Sequence, residues 1–215
     1  MSVVVYAIGQ RGESPLAGYG LAHKPLRAIH ADALMAIVSD QEGAALRSDV
    51  ETLWEYQRIV ERIAEVCAIV PARFGSVMDG DGAVVEMLRS KREHLVTVLE
   101  HTRGAVELSV RATWEQAPEP EQQTGIGYMR ARLQLRGRAR EVAGELMPLA
   151  KLSRTSRCKL PAGPEQPMRC AYLVDRELVE DFTASLRRLD QQLRDVELVC
   201  TGPWPPYSFA EAVPA

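Results

Sequence analysis

Residues 201–209 read Thr-Gly-Pro-Trp-Pro-Pro-Tyr-Ser-Phe, and they follow an apolar, strand-like segment from Val196 to Cys200. Three prolines do not fit inside a helix or a central strand, because proline lacks the backbone N–H that both structures use. The rings of Trp204, Tyr207 and Phe209 still carry a large apolar area, and burying each one contributes about 2–3 kcal/mol. We therefore expect a stiff, extended tail that packs on the rest of the chain. A clamp between two domains and a partner-binding element are the alternatives.

Two other segments accompany this tail. Residues 70–77 read Val-Pro-Ala-Arg-Phe-Gly-Ser-Val, and residues 171–175 read Ala-Tyr-Leu-Val-Asp. In this order, the three segments resemble the signatures of the gas vesicle protein F/L family (GvpF/GvpL), and the resemblance extends from residue 3 to residue 211. It implies a two-domain α+β protein that is a minor component or assembly factor of gas vesicles, which are hollow, gas-filled protein shells. It also implies contacts with the small, hydrophobic major shell subunit and with other accessory proteins.

Composition indicates a cytoplasmic globular protein. The chain has 215 residues, enough for one large or two small domains, and 46% of them are hydrophobic. A net charge of −3 argues against general binding to nucleic acid or to anionic membranes. Cys67, Cys158, Cys170 and Cys200 are widely spaced and form no C-x-x-C motif, so we expect reduced thiols rather than a zinc site or a disulfide framework. No apolar run approaches the roughly 18 residues that span a bilayer, and the N-terminus lacks the basic segment of a signal peptide.

The first half of the chain predicts an α+β domain over residues 1–115. The unbroken apolar run Val3 to Ile8 is typical of a central strand, and Pro71 places its strand at a sheet edge. Residues 48–51 form a capping box, which begins a helix. Its predicted buried stripe is Val50, Leu53, Trp54, Val60, Ile63, Ala64 and Cys67. Strict alternation over residues 106–114 indicates a half-buried antiparallel strand. We expect a mostly antiparallel sheet with two helices on one face.

The second half predicts a smaller α+β domain over residues 126–201. Residues 116–125 are the predicted linker, because Glu, Gln and Pro dominate residues 115–123. After them we expect a helix weakened by two glycines, a strand, a second helix and a last strand. That order is half of a ferredoxin-like fold, so we expect a ferredoxin-like domain with its helices on one face of the sheet. Residues 202–215 would then be the tail that packs back on the protein.

The sequence contains no phosphate-binding loop, no dinucleotide-binding motif and no nucleophile elbow. His94 and His101 are two helical turns apart, about 10 Å, which is too far for one metal ion. We therefore predict a structural or assembly protein that is not an enzyme and needs no cofactor or metal. The alternative is a small-ligand-binding or catalytic ferredoxin-like domain.

Eight residues are candidates for binding a partner. Arg73 lies in an apolar run next to Phe74, where an arginine usually pairs with a carboxylate or carbonyl group, so a structural ion pair and a partner contact both remain open. Residues 130–159 contain nine Lys or Arg against two Glu, a net charge of +7. On a helix, Arg132, Arg136 and Arg140 share one side, which favours a solvated face, a docking face for an acidic partner or, less readily without aromatic residues, a nucleic-acid site. The full set is Arg73, Phe74, Arg132, Arg136, Arg140, Trp204, Tyr207 and Phe209.

Overall fold

The computed structural model describes residues 1–12, 17–43, 45–114, 125–161, 166–193 and 195–210. The chain forms two compact units, of which the first comprises Met1–Gly104 together with the chain from Trp204 onward, and the second comprises Ala105–Pro203. Each unit contains an antiparallel sheet and helices, so the predicted α+β class is confirmed. Nearly all of the predicted linker lies outside the described residues.

The first sheet is built around its first strand. Its strands are β1 (Ser2–Gln10), β2 (Arg27–Ala31), β3 (Leu34–Gln41), β4 (Ile69–Pro71) and β5 (Val77–Met78). Their order is β2-β3-β1-β4, and β5 also pairs with β1. The central position predicted for β1 is therefore correct. The strand that contains Pro71 lies at the edge, where its missing N–H costs no ladder bond.

Helices cover both faces of this sheet. They are α1 (Val50–Val66), α2 (Gly80–Ser90) and α3 (Arg92–Thr102). Val4 and Tyr6 of β1 belong to the cluster that contains the buried residues of α1, whereas Val3, Val5 and Ile8 belong to the cluster that contains those of α2 and α3. The expectation of helices on one face only does not hold for this unit. Burial on both faces explains why β1 reads as an unbroken apolar run rather than an alternating one.

The second unit has the β-α-β-β-α-β order of a ferredoxin-like fold. Its elements are β6 (Ala105–Trp114), α4 (Gly125–Glu145), the short α5 (Met147–Lys151), β7 (Thr155–Lys159), β8 (Met168–Asp175), α6 (Val179–Gln192) and β9 (Val196–Trp204). The strand order is β7-β8-β6-β9. Its core combines the inward residues of β6 and β8 with one side of α4 and of α6.

Strand β6 belongs to the second sheet, although the sequence placed residues 106–114 in the first domain. Its register runs from Ala105 opposite Asp175 to Ala112 opposite Met168. The two units therefore divide after Gly104, ahead of the expected boundary at residue 115. Alternation identified a half-buried strand correctly, but alternation carries no information about which sheet a strand joins.

Two of the four cysteines are bonded, which corrects the prediction of four reduced thiols. Cys158 on β7 lies directly opposite Cys170 on β8, with their Cα atoms 4.0 Å apart, and the two form a disulfide. Cys67 and Cys200 are free. The strand register creates this pairing, and a spacing of 12 residues in the sequence does not reveal it.

Among the described residues, no helix has the length and apolar character that crossing a membrane requires.

Candidate functional site

Tyr56 of α1 anchors the segment that follows β4. Its hydroxyl lies 2.9 Å from the carbonyl oxygen of Val5 and 3.1 Å from those of Ala72 and Arg73. The side chain is buried, and this burial raises the pKa of Tyr56 well above its ordinary value. The hydroxyl is therefore a permanent donor that ties the helix to the segment containing Arg73.

Aromatic rings surround this anchor. The rings of Phe74 and Tyr56 pack edge to face, with their centroids 5.4 Å apart. The centroid of the Tyr6 ring lies 5.2 Å from that of Tyr56, and the two ring planes are inclined by 31°. The Tyr6 hydroxyl accepts a hydrogen bond from the backbone N–H of Leu21 at 2.8 Å and contacts the Ser39 hydroxyl at 2.8 Å. Burial raises the pKa of Tyr6 as well. Such edge-on and tilted ring pairs add to the packing energy of the cluster.

Arg73 does not form the structural ion pair that the sequence favoured. Its side chain is exposed, and no carboxylate in the described part of the chain pairs with it. The strand ends at Pro71, and Arg73 lies in the turn beyond it, where its carbonyl accepts the N–H of Ser76 at 3.1 Å and Gly75 has a φ of 93°. The backbone of Arg73 is thus fixed, and its guanidinium faces solvent.

The C-terminal tail belongs to the first unit from Trp204 onward. Phe209 is buried, whereas Trp204 and Tyr207 are half-buried. Tyr207 packs against the cluster that contains Tyr56, and Ala210 belongs to the cluster beneath α2 and α3. The two sequence signatures at residues 70–77 and 201–209 therefore meet around one tyrosine that the sequence analysis did not single out.

The first turns of α1 carry an apolar patch that the sequence analysis assigned to the core. Val50, Leu53 and Trp54 are 70%, 46% and 57% exposed, whereas the buried stripe begins at Tyr56. Each helical residue turns the chain by about 100°, so Trp54 lies about 200° from Tyr56, on the opposite side of the helix. The predicted buried stripe was wrong at this end of α1 because it combined residues from the exposed side of the helix with residues from its buried side. We call Val50, Leu53 and Trp54 the α1 apolar patch.

The three arginines predicted to share a face all lie on α4, which forms despite its glycines. Arg136 and Arg140 are exposed, but Arg132 is half-buried. Between them, Arg138 pairs with Asp195 at 2.8 Å and with Glu141 at 3.1 Å. The Arg138 guanidinium lowers the pKa of Asp195. Arg138 is therefore a structural residue that fastens α4 to the start of β9.

Metal ligands do not cluster in the described ranges, where no group of three or more His, Cys, Asp or Glu side chains is placed to hold an ion. His94 and His101 are both exposed on α3.

Comparison with known proteins matches the chain to one family. The family model described as "Gas vesicle synthesis protein GvpL/GvpF" matches residues 2–211. The chain is similar to gas vesicle protein F of Streptomyces sp. (strain CB03234), with 27% identity over 98% of this chain and 100% of that protein. It is similar to gas vesicle protein L of the same organism, with 28% identity over 96% of this chain and 91% of that protein.

Solved structures support the fold. The crystal structure of GvpF from Anabaena sp. PCC7120 aligns with a TM-score of 0.80 at 18% identity, over 97% of this chain and 95% of that one. The crystal structure of GvpF from Microcystis aeruginosa aligns with a TM-score of 0.79 at 15% identity, over 97% of this chain and 98% of that one. Because the family model matches nearly the whole chain, this protein belongs to the gas vesicle GvpL/GvpF family.

Proposed function

We propose that this protein is a minor shell component or assembly factor that binds the small, hydrophobic major shell subunit and helps to nucleate or assemble the vesicle. Membership of the family connects the chain with gas vesicles, and the choice of partner is our inference. The observation that carries it is the α1 apolar patch, because a folded protein that exposes Trp54 and its neighbours leaves apolar area for a partner to cover.

The chemistry around the patch resembles that of a protein interface. Trp54 is surrounded by Glu51, Glu55 and Arg58, which line a shallow depression beside the ring. An apolar centre with a charged rim is the usual arrangement at such interfaces, and tryptophan is enriched among the residues that carry the binding energy. Burying the exposed part of this ring under a partner would contribute about 1–2 kcal/mol.

The candidate residues around Tyr56 fit the same proposal in two roles. The exposed guanidinium of Arg73 is available for direct contact, and the half-buried Phe74 and Tyr207 lie against the core cluster beneath it. Phe209 is buried and would act by holding the tail in place. A small hydrophobic subunit that aggregates when left alone gains most from a partner whose apolar surface is presented on a rigid element.

Co-purification with the major shell subunit tests this proposal. The double variant Leu53→Ser with Trp54→Ser removes the centre of the patch, and we expect at least a tenfold loss of bound subunit with little change in thermal stability. The matched control is Val66→Ser, which removes an equally exposed side chain (55%) at the other end of α1. Equal recovery of the subunit with the double variant, the control and the unmodified protein would reject the patch as its binding surface.

A further inference from the structure

The outer side of α4 presents a second unpartnered surface, of different chemistry. Ile126, Met129 and Leu133 are 70%, 52% and 63% exposed, and their spacing of three and four residues places them in one stripe. The same stripe continues into the exposed Arg136 and Arg140. We call these five residues the α4 outer face. The opposite side of the helix carries the buried residues Ala131, Leu135, Ala139 and Val142, and the last two belong to the core of the second unit.

The positive charge of this face has no counterpart on its own helix. Glu141 and Glu145 are the only acidic residues of α4. Both pair with Arg138, whose Nη1 lies 3.1 Å from Glu141 Oε2 and 3.8 Å from Glu145 Oε1, and Arg138 also pairs with Asp195. In the described part of the chain, no carboxylate pairs with Arg136 or Arg140. A solvent-exposed helix stabilised by salt bridges would carry alternating charges along its face, whereas both carboxylates of α4 pair with Arg138.

Two glycines on the same side indicate room for another backbone. A Cβ atom built on Gly137 or Gly144 would meet no atom of the described residues within 4 Å, so no contact with that part of the chain requires glycine there. Each costs helix stability of about 1 kcal/mol relative to alanine. Glycine at these two positions would let the backbone of another helix approach α4 closely. The identity of the partner is inferred from the apolar and charged residues of the face.

We propose that the α4 outer face docks an amphipathic helix of a partner protein, whose apolar stripe lies on Ile126, Met129 and Leu133 and whose Asp or Glu residues face Arg136 and Arg140. A stripe with this spacing is the ridge that packs against another helix. Nucleic acid is less suited, since the face offers no aromatic ring for stacking. A lipid surface is less suited as well, because three apolar side chains on a helix held by its other side bury little area in a bilayer.

This inference rests on the proposed function in one respect: we expect the partner among the proteins present during vesicle assembly. A photo-crosslinking amino acid at position 133 of the full chain, in cells that form gas vesicles, identifies the occupant directly. We expect a single crosslinked peptide from a helix with alternating apolar and acidic sides. The same amino acid at the exposed Arg187 of α6 gives the background. Crosslinks to a second copy of the chain, to residues 115–124, to lipid or to nucleic acid would overturn the proposal, as would none above background.

Reversing the charge of the two arginines is the second test of this proposal. Arg136→Glu with Arg140→Glu should lower the crosslink yield at least tenfold, and changing the acidic residues of the mapped helix to lysine should restore it. The matched control, Arg187→Glu with Arg188→Glu, reverses two exposed arginines on α6 and should leave the yield unchanged. Loss without restoration, or equal loss in the control, would overturn the pairing. The serine variant of the α1 apolar patch should keep this crosslink, so the two proposals fail separately.

Discussion

Replacing Tyr56 with phenylalanine should destabilise the first unit by about 2 kcal/mol. The variant keeps the ring and its contacts but removes the hydroxyl that meets three carbonyl oxygens at 2.9–3.1 Å. The carbonyl of Arg73 keeps the N–H of Ser76, whereas no other hydrogen bond in the described residues reaches the carbonyl of Ala72. A buried acceptor left without a donor costs about 1–3 kcal/mol, and this term dominates because the packing is conserved.

Urea unfolding of the full protein measures this cost as a shift in midpoint at constant slope. Tyr172→Phe is the matched control. Tyr172 is equally buried, burial raises its pKa to about 12, and its hydroxyl makes no hydrogen bond with the described residues. Its ring contact with Phe182 survives the change, so we expect a loss below about 0.5 kcal/mol.

Hydrogen exchange locates the effect. If Tyr56 holds the turn after β4, the amide of Ser76 should exchange faster in the phenylalanine variant, since its acceptor is the carbonyl of Arg73. Equal losses in Tyr56→Phe and Tyr172→Phe, with unchanged exchange at Ser76, would refute the idea that this hydroxyl fixes the segment.

Three further predictions concern stability and use the same unfolding assay. Phe209→Ala should cost about 3 kcal/mol and Trp204→Ala only about 1–2, because the first ring is buried and the second half-buried; equal costs would contradict this order. Asp195→Asn should cost about 0.5–1 kcal/mol at pH 7 for this mostly exposed pair. The contact with Arg138 lowers the pKa of Asp195 in the folded state, so the ion pair stabilises the protein above the unfolded pKa of about 3.9. This stabilisation disappears as pH falls through the folded pKa. A loss of stability in Asp195→Asn that persists in stronger acid would exclude the ion pair as its cause. Gly20→Ala should cost about 1–3 kcal/mol, since its Cβ would lie 2.5 Å from the Tyr6 hydroxyl; an unchanged midpoint would show that the hydroxyl moves freely.

Local patterns in the sequence predicted individual elements well. The unbroken apolar run of β1 indicated a central strand, although helices were expected on only one face of its sheet, and Pro71 indicated an edge. The alternation of β6 indicated a half-buried strand, yet its partner β8 lies more than fifty residues further along the chain. Periodicity reports how a segment is buried, and it does not report which distant segment buries it. The domain boundary was displaced for that reason.

The candidate site was predictable only where composition marks it. Proline and aromatic residues identified the tail, but Tyr56 looks like any other apolar position on α1, and its role depends on carbonyl groups from two distant segments. Arg73 seemed buried because its neighbours are apolar, although the strand ends at Pro71, two residues before it. The Cys158–Cys170 bond likewise depends on the register of two strands, which the sequence does not state.

Only one of the two proposed surfaces should bind its partner in a salt-dependent way. Binding at the α1 apolar patch depends on apolar area, which added salt does not weaken, whereas binding at the α4 outer face depends on Arg136 and Arg140, whose attraction to carboxylates is screened over about 8 Å at physiological ionic strength. Raising NaCl from 50 to 500 mM should therefore lower the α4 crosslink several-fold and leave recovery of the major shell subunit unchanged. Neutralising both side chains, as in Arg136→Gln with Arg140→Gln, should remove this dependence, which ties the salt effect to two named side chains. A parallel decline of both signals would mean that one partner occupies both surfaces, and the separation argued from their chemistry would then be wrong.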